Sequence, residues 1–195
     1  MTGDLAYYSE GDEPRFARVV FDFDNGAHLA YEDMRLFGVV DLAARPETFI
    51  EEHHLGPDPL DPQFTLRRFR NLISSRRGAI KSLLMSQDII AGIGNLYADE
   101  TLYQTSIHPR RAVDRLRDDE VKKIYAAMRR ILRDVIARKE RHARYPPRYL
   151  IHHREEGDRC AMCGGEIKRT LVFGRTTYFC GRACRQRRSN GCATI

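Results

Sequence analysis

The chain has 195 residues, 42% hydrophobic and 31% charged, enough to bury a core in one or two small domains. Its apolar runs are broken by charge well short of a membrane span, and MTGDLAYYSE has neither the basic start nor the apolar middle of a signal peptide, so the expectation is a cytoplasmic protein with no membrane partner. The formal charge of +6 conceals an asymmetry: residues 1 to 108 hold 10 Lys/Arg against 17 Asp/Glu and residues 109 to 195 hold 23 against 10, a change from −7 to +13. A half this basic points to a polyanion partner, although interspersed charge on solvated helices also produces one.

Residues 17 to 40 read as strands. ARVVFDF alternates, Asn25-Gly26 is a strong two-residue hairpin signal, AHLAYED follows, and RLFGVVDL resumes the β-rich pattern. Some three strands make a half-sheet that needs something to pack against, and its open edges allow pairing with a second copy. A helical region follows: PETFIEEH after Pro46, the turn-rich LGPDPLDP, QFTLRRFRNLI, GAIKSLLMS, NLYADETLYQT, and a long helix from about Asp118 to Lys139. In that helix Val121, Ile124, Tyr125, Met128, Ile131, Leu132 and Val135 form one apolar stripe, which reads as core. RYPPR, at 144 to 148, is a linker, because two prolines in succession end a helix.

Between two of these helices lies AGIGNLYADE. Gly92 and Gly94 let backbone approach a ligand closely, and the helix that follows presents unpaired N–H groups at the positive end of its dipole, with Asn95 placed to cap it or to donate to an anion. A phosphate suits that arrangement; an ordinary tight turn with an asparagine cap accounts for the same letters.

All five cysteines fall between Cys160 and Cys192. Cys160 and Cys163 are separated by two residues, then sixteen residues pass before Cys180 and Cys184, separated by three. Two close pairs joined by a β-hairpin (EIKRTLV and TTYFC, with Phe173-Gly174-Arg175 at the tip) match one tetrahedral, structural Zn2+ with four thiolate ligands. Disulfides or unpaired buried thiols are the alternatives, and Cys192 could stand in for Cys184 or be a free tail thiol. The tip projects Arg175 among Lys168, Arg169 and Arg182.

GAIKSLLMSQDIIAGIGNLYADETLYQTSIHPRR, the upstream LGPDPL, the segment YEDMRLFG and the cysteine ribbon with GRTTYFC together resemble formamidopyrimidine-DNA glycosylase and its endonuclease VIII relatives, in the family's order over nearly all of residues 1 to 188. The resemblance implies an α+β architecture: a partial β-sheet remnant of an N-terminal lobe (1–45), a helical domain with a helix-two-turn-helix module (46–148), a zinc ribbon (149–188) and a tail (189–195). It implies that Lys81 to Leu84 and the stretch from Asn95, with Gly92 and Gly94, grip phosphates around a lesion in double-stranded DNA. Arg175 is expected on the phosphate flanking an extruded nucleotide and Arg76 on a phosphate just before the module, where an exposed arginine could equally be solvated. Met1, Arg35 and Phe37 resemble the residues that fill the gap left by a flipped base, a place where an apolar wedge makes physical sense; for Phe37 a strand core position is the alternative.

The family's chemistry begins from an N-terminal proline with an adjacent glutamate and a lysine on a nearby hairpin, and this sequence, opening at Met-Thr-Gly, matches none of them. It also has Phe16 where the family has a histidine and a short segment after the long helix where 8-oxoguanine-recognising members have a capping loop. The expectation is therefore a damaged- or abasic-DNA binding protein linked to base excision repair, nucleoid-associated, a monomer or weak dimer, without catalytic residues of its own. The alternatives are an active glycosylase and abasic-site lyase whose N-terminus is missing from this chain, and a zinc-ribbon module for RNA or protein.

Overall fold

The structure, a computed structural model, describes residues 3–9, 11–139 and 144–183. It divides into two units, at residues 1–48 and 49–195.

The first unit is a three-stranded antiparallel sheet in the order β1 (Gly3–Ser9), β3 (Ala27–Asp33), β2 (Ala17–Asp22). The Asn25-Gly26 turn joins β2 to β3 as expected, Asn25 Oδ1 accepting the Ala27 N–H at 3.1 Å. The third strand is not the expected one. RLFGVVDL forms no strand, and LAYYS near the start of the chain pairs along β3 instead. After β3 the chain leaves the sheet at Asp33, whose buried carboxylate accepts the N–H of Arg35 at 3.0 Å and of Gly38 at 2.6 Å and so holds the turn. Those donors, Gly38 foremost, hold the Asp33 carboxyl below its ordinary pKa. Leu5, Tyr31 and Val19 face each other across the strands, as do Tyr7, Leu29 and Phe21, so one face of the sheet is apolar. Leu5 and Tyr7 on it are 62% and 65% exposed.

The second unit carries the helices α1 (Pro46–Glu52), which starts at the unit boundary with proline at its first position, α2 (Leu66–Ser74), α3 (Ile80–Leu84), α4 (Asn95–Thr105) and α5 (Asp118–Ala137), then a hairpin of β4 (Ile167–Val172) and β5 (Arg175–Cys180). Thr65 caps α2 by accepting the Arg68 N–H. The Glu120 side chain accepts the Arg117 N–H at the start of α5, where Asp118 and Asp119 also meet the helix dipole. The expected stripe of α5 is buried at Val121, Ile124, Met128, Ile131, Leu132 and Val135, with Tyr125 partly covered. Val121, Ile124, Met128 and Leu132 pack with Phe64, Phe69, Ile80, Leu84, Ile90, Ile93 and Leu102 into the main core, and Ile131 and Val135 form a second cluster with Ala127, Tyr145 and Tyr149. Burying each of these large side chains contributes roughly 1.5–3 kcal/mol before conformational entropy is counted. Arg129, also on α5, turns inward and donates to the carbonyls of Asp61 and Phe64. Among the described residues, no helix is long and apolar enough to cross a membrane.

Candidate nucleic-acid interface

The glycine element is a scaffolded turn. Gly92 has φ +82°, a backbone state that side chains with a Cβ rarely adopt. Gln87 staples it, accepting the Gly92 N–H at 2.8 Å and donating to the carbonyl of Ile93 at 3.0 Å. The upstream LGPDPL motif lies against the same turn: Gly56 donates to the Gln87 carbonyl at 2.7 Å, and a Cβ on Gly56 would come within 2.5 Å of the Ile89 backbone. Gly94, not Asn95, is the cap of α4, and no side chain caps it. Asn95 is thus the first helical residue, which removes the reading of an asparagine cap and leaves the helix start with N–H groups for a ligand.

What Asn95 does with its amide is to join the module to the ribbon. Its Nδ2 donates to the carbonyl of Thr176 at 3.1 Å, and Thr176 directly follows Arg175. Lys81, on α3, reaches the same place. Its Nζ donates to Thr177 Oγ1 at 2.6 Å and to the Thr176 carbonyl at 3.3 Å, and pairs with Asp99 Oδ1 at 2.7 Å. Asp99 in turn meets Arg154 at 3.1 Å and accepts the Tyr178 N–H at 3.3 Å, with the Arg154 guanidinium over the Tyr178 ring. The side chains of Lys81 and Asp99 have no exposed surface. Burial lowers the pKa of Lys81 and raises that of Asp99, and each partner's charge opposes this by favouring the ionised form. Lys81 was expected on a phosphate; it lies instead beneath the surface, as a tie between α3, α4 and β5.

Further contacts close the same seam. The His108 ring meets Phe179 edge-on at 4.7 Å, and Arg110 donates to the Leu171 carbonyl at 2.8 Å and to Thr170 Oγ1 at 3.1 Å. The hairpin tip is thereby held beside the helix-two-turn-helix pair. Between them runs a cleft of about 620 Å³ lined by Arg76, Arg77, Ser82, Ser86, Phe173 and Arg175, among others. Arg175 and Arg77 are exposed and Arg76 is half-buried, its Nε donating to the Leu72 carbonyl. Arg77 and Phe173 were not expected at this site; Arg77 sits one residue beyond Arg76 in SSRRG, and Phe173 was read only as the turn itself. In the first unit, Phe37 is 80% exposed beside the Arg35 guanidinium and belongs to no strand, which excludes the core reading of it. Met1 lies outside the described residues.

In the ribbon, the sulfurs of Cys160, Cys163 and Cys180 all lie within 4.8 Å of one another, with Cys163 and Cys180 at 3.4 Å and all three unbridged. Thiolates around a tetrahedral zinc ion stand roughly 3.8 Å apart, from a Zn–S bond of about 2.3 Å, so this donor set fits the ion. The Ala183 N–H donates to Cys180 Sγ at 3.3 Å, and the Tyr103 hydroxyl on α4 lies 3.2 Å from Cys160 Sγ. Tyr103, Leu150, Cys160, Ile167 and Cys180 form a small apolar cluster that seats the ribbon on α4. Cys184 and Cys192 lie outside the described residues.

Glu100, one residue beyond Asp99, is 3% exposed, and burial pushes its pKa up to about 7 from 4.5 against the opposing hydrogen bonds of Gln104, Leu150 and Ile151 and the charge of Arg154. A carboxyl whose folded pKa exceeds its unfolded one takes up a proton on folding, so its contribution is complete below the unfolded value and is lost as pH rises toward 7. Unfolding in urea at pH 5 and pH 8 should therefore show the wild type losing about 2–3 kcal/mol more than Glu100→Gln over that interval. Superimposable pH profiles would refute the assignment.

A sequence profile described as the formamidopyrimidine-DNA glycosylase H2TH domain matches residues 55–145, spanning α2 to α5. The chain is 36% identical over 199 residues to formamidopyrimidine-DNA glycosylase of Heliobacterium modesticaldum, covering 93% of this chain and 72% of that one, and 34% identical over 192 residues to that of Herpetosiphon aurantiacus, covering 92% and 70%. The structure superposes with a TM-score of 0.80 and 26% identity on Lactococcus lactis Fpg in complex with DNA containing an abasic site, over 95% of this chain and 73% of that one. The glycine-turn module, the thiol cluster beside it and these likenesses over nine-tenths of the chain agree: it belongs to the formamidopyrimidine-DNA glycosylase family.

Proposed function

We propose that this chain is a DNA-repair protein that grips the sugar-phosphate backbone of damaged or abasic duplex DNA from two sides. The uncapped start of α4 with Asn95 offers N–H donors to one phosphate, and Arg175 at the ribbon tip pairs with a neighbouring one, Arg76 and Arg77 adding charge along the cleft. The observation that carries this reading is the bond from Asn95 to Thr176, which holds the helix start and the hairpin tip together. Lys81 serves the grip indirectly, by fixing Thr176 and Thr177. One structural Zn2+ held by Cys160, Cys163, Cys180 and Cys184 would pin the ribbon, closing four thiolate positions and leaving none for catalysis. Arg35 and Phe37, with Met1, are assigned to the gap left in the base stack by a displaced nucleotide.

In anisotropy titrations, Asn95→Ala and Arg175→Ala should each weaken binding to duplex containing a tetrahydrofuran abasic analogue by about 1–3 kcal/mol. Only Arg175→Ala should also reduce the slope of log K against log salt, by about 1, because it alone removes a cation. If neither substitution changes affinity, the grip is misassigned. Equal, weak binding of abasic and intact duplex would likewise refute lesion preference.

A second reading, base excision with abasic-site cleavage by this chain, is favoured by the glycosylase names of its relatives. Borohydride trapping on abasic duplex tests it directly: a covalent protein–DNA adduct supports a Schiff-base enzyme, and its absence beside tight binding supports recognition without cleavage.

A further inference from the structure

The ribbon hairpin closes through two residues between the paired Val172 and Arg175: Phe173 at φ +49° and Gly174 at φ +68°. Both lie in the left-handed region, the geometry of the tight turn that favours Asn-Gly, and a bulky aromatic is disfavoured in its first position. The described residues do little to offset that preference, since they leave the Phe173 side chain 85% exposed. The ring stands two residues from Arg175, at the cleft that Arg76, Arg77 and Arg175 make basic. Phe173 and Arg175 line one cleft, so a nucleotide strand bound there would run past both, and every base has an apolar face on which an aromatic can stack.

We propose that Phe173 is a stacking platform for an unstacked base of the bent strand, next to the phosphate held by Arg175, and that it raises affinity for distorted over intact duplex. The assignment rests on the DNA-gripping reading above. Intact B-form duplex keeps its bases paired and covered, so the ring finds its partner only where a lesion has loosened the stack. Backbone strain retained at an exposed aromatic is then the local cost of holding the ring outward.

The experiment compares Phe173→Asn, Phe173→Tyr and Arg175→Ala on a duplex with a tetrahydrofuran site flanked by 2-aminopurine, and on intact duplex. Phe173→Asn gives the turn its preferred residue, so its melting temperature should match or exceed the wild type while its affinity for the lesion duplex falls roughly 5- to 50-fold, as expected for one lost base–aromatic stack. Affinity for intact duplex should change less than about twofold, since the stack is absent there. The 2-aminopurine quenching seen with wild type should vanish in Phe173→Asn and persist in Phe173→Tyr. Unchanged lesion affinity in Phe173→Asn, with Arg175→Ala weakened, overturns the platform and leaves the grip standing; unchanged affinity in both overturns the two together. A Phe173→Asn protein that melts well below wild type also overturns it, because the ring would then be structural.

Discussion

Asp99→Ala should lower the free energy of unfolding by about 3–5 kcal/mol, the loss typical when one member of a buried ion pair is removed and its partner is left uncompensated. Lys81 and Arg154 both converge on this carboxylate, and neither Lys81 nor Asp99 has side-chain surface through which water could substitute. The double variant Lys81→Met, Asp99→Leu should recover only part of that loss: it removes the uncompensated lysine charge, but Arg154 and the Tyr178 N–H still lose their acceptor. Urea unfolding followed by circular dichroism measures both. A loss below about 1 kcal/mol in Asp99→Ala would mean that the network is solvated in solution and does not tie the module to the ribbon. The same variant should weaken lesion binding, since the carboxylate accepts the Tyr178 N–H and anchors Lys81 against Thr176 and Thr177, next to Arg175.

Chelation of the proposed Zn2+, or Cys160→Ala, should produce the largest effect on DNA binding, on the order of 100-fold or about 3 kcal/mol. A structural zinc ion supplies much of the folding free energy of a small ribbon, so with the proposed Zn2+ in place its removal should free Arg175 and Phe173 from their fixed positions. Helical circular dichroism should largely survive, because the core of α2 to α5 is built from residues outside the ribbon. The ribbon's own contribution to that signal should disappear, together with the seat that Tyr103 and Leu150 provide for Cys160 and Ile167. Loss of helical signal in step with the metal would show that helices and ribbon unfold as one unit. Full retention of lesion affinity after complete chelation would exclude a metal-pinned tip.

The gap between fold and sequence is instructive at single residues. RLFGVVDL has the composition of a strand, yet it runs on as an exposed loop because Asp33 turns the chain at Arg35 and Gly38. LAYYS, with an equally β-rich character, pairs with β3 along its full length. Composition ranks both alike, and only the available hydrogen-bonding partner separates them.

The amino-acid sequence by itself determined the features that close over short distances: the Asn-Gly hairpin, the apolar stripe of α5, the glycine turn before α4, and the Cys160–Cys163 spacing with the hairpin that leads to Cys180. Each depends on neighbours within a few residues or on a strict period, so the letters carry it. The tertiary structure alone decided what Lys81 and Asn95 do. Read along the chain, a lysine in a phosphate-gripping motif is a surface cation; in the fold its partners are Asp99 and the backbone of β5, some 95 residues away. Whether a charge faces solvent or a buried counter-charge depends on long-range packing, which local propensity cannot encode, and here that packing sets the helix start and the ribbon tip side by side.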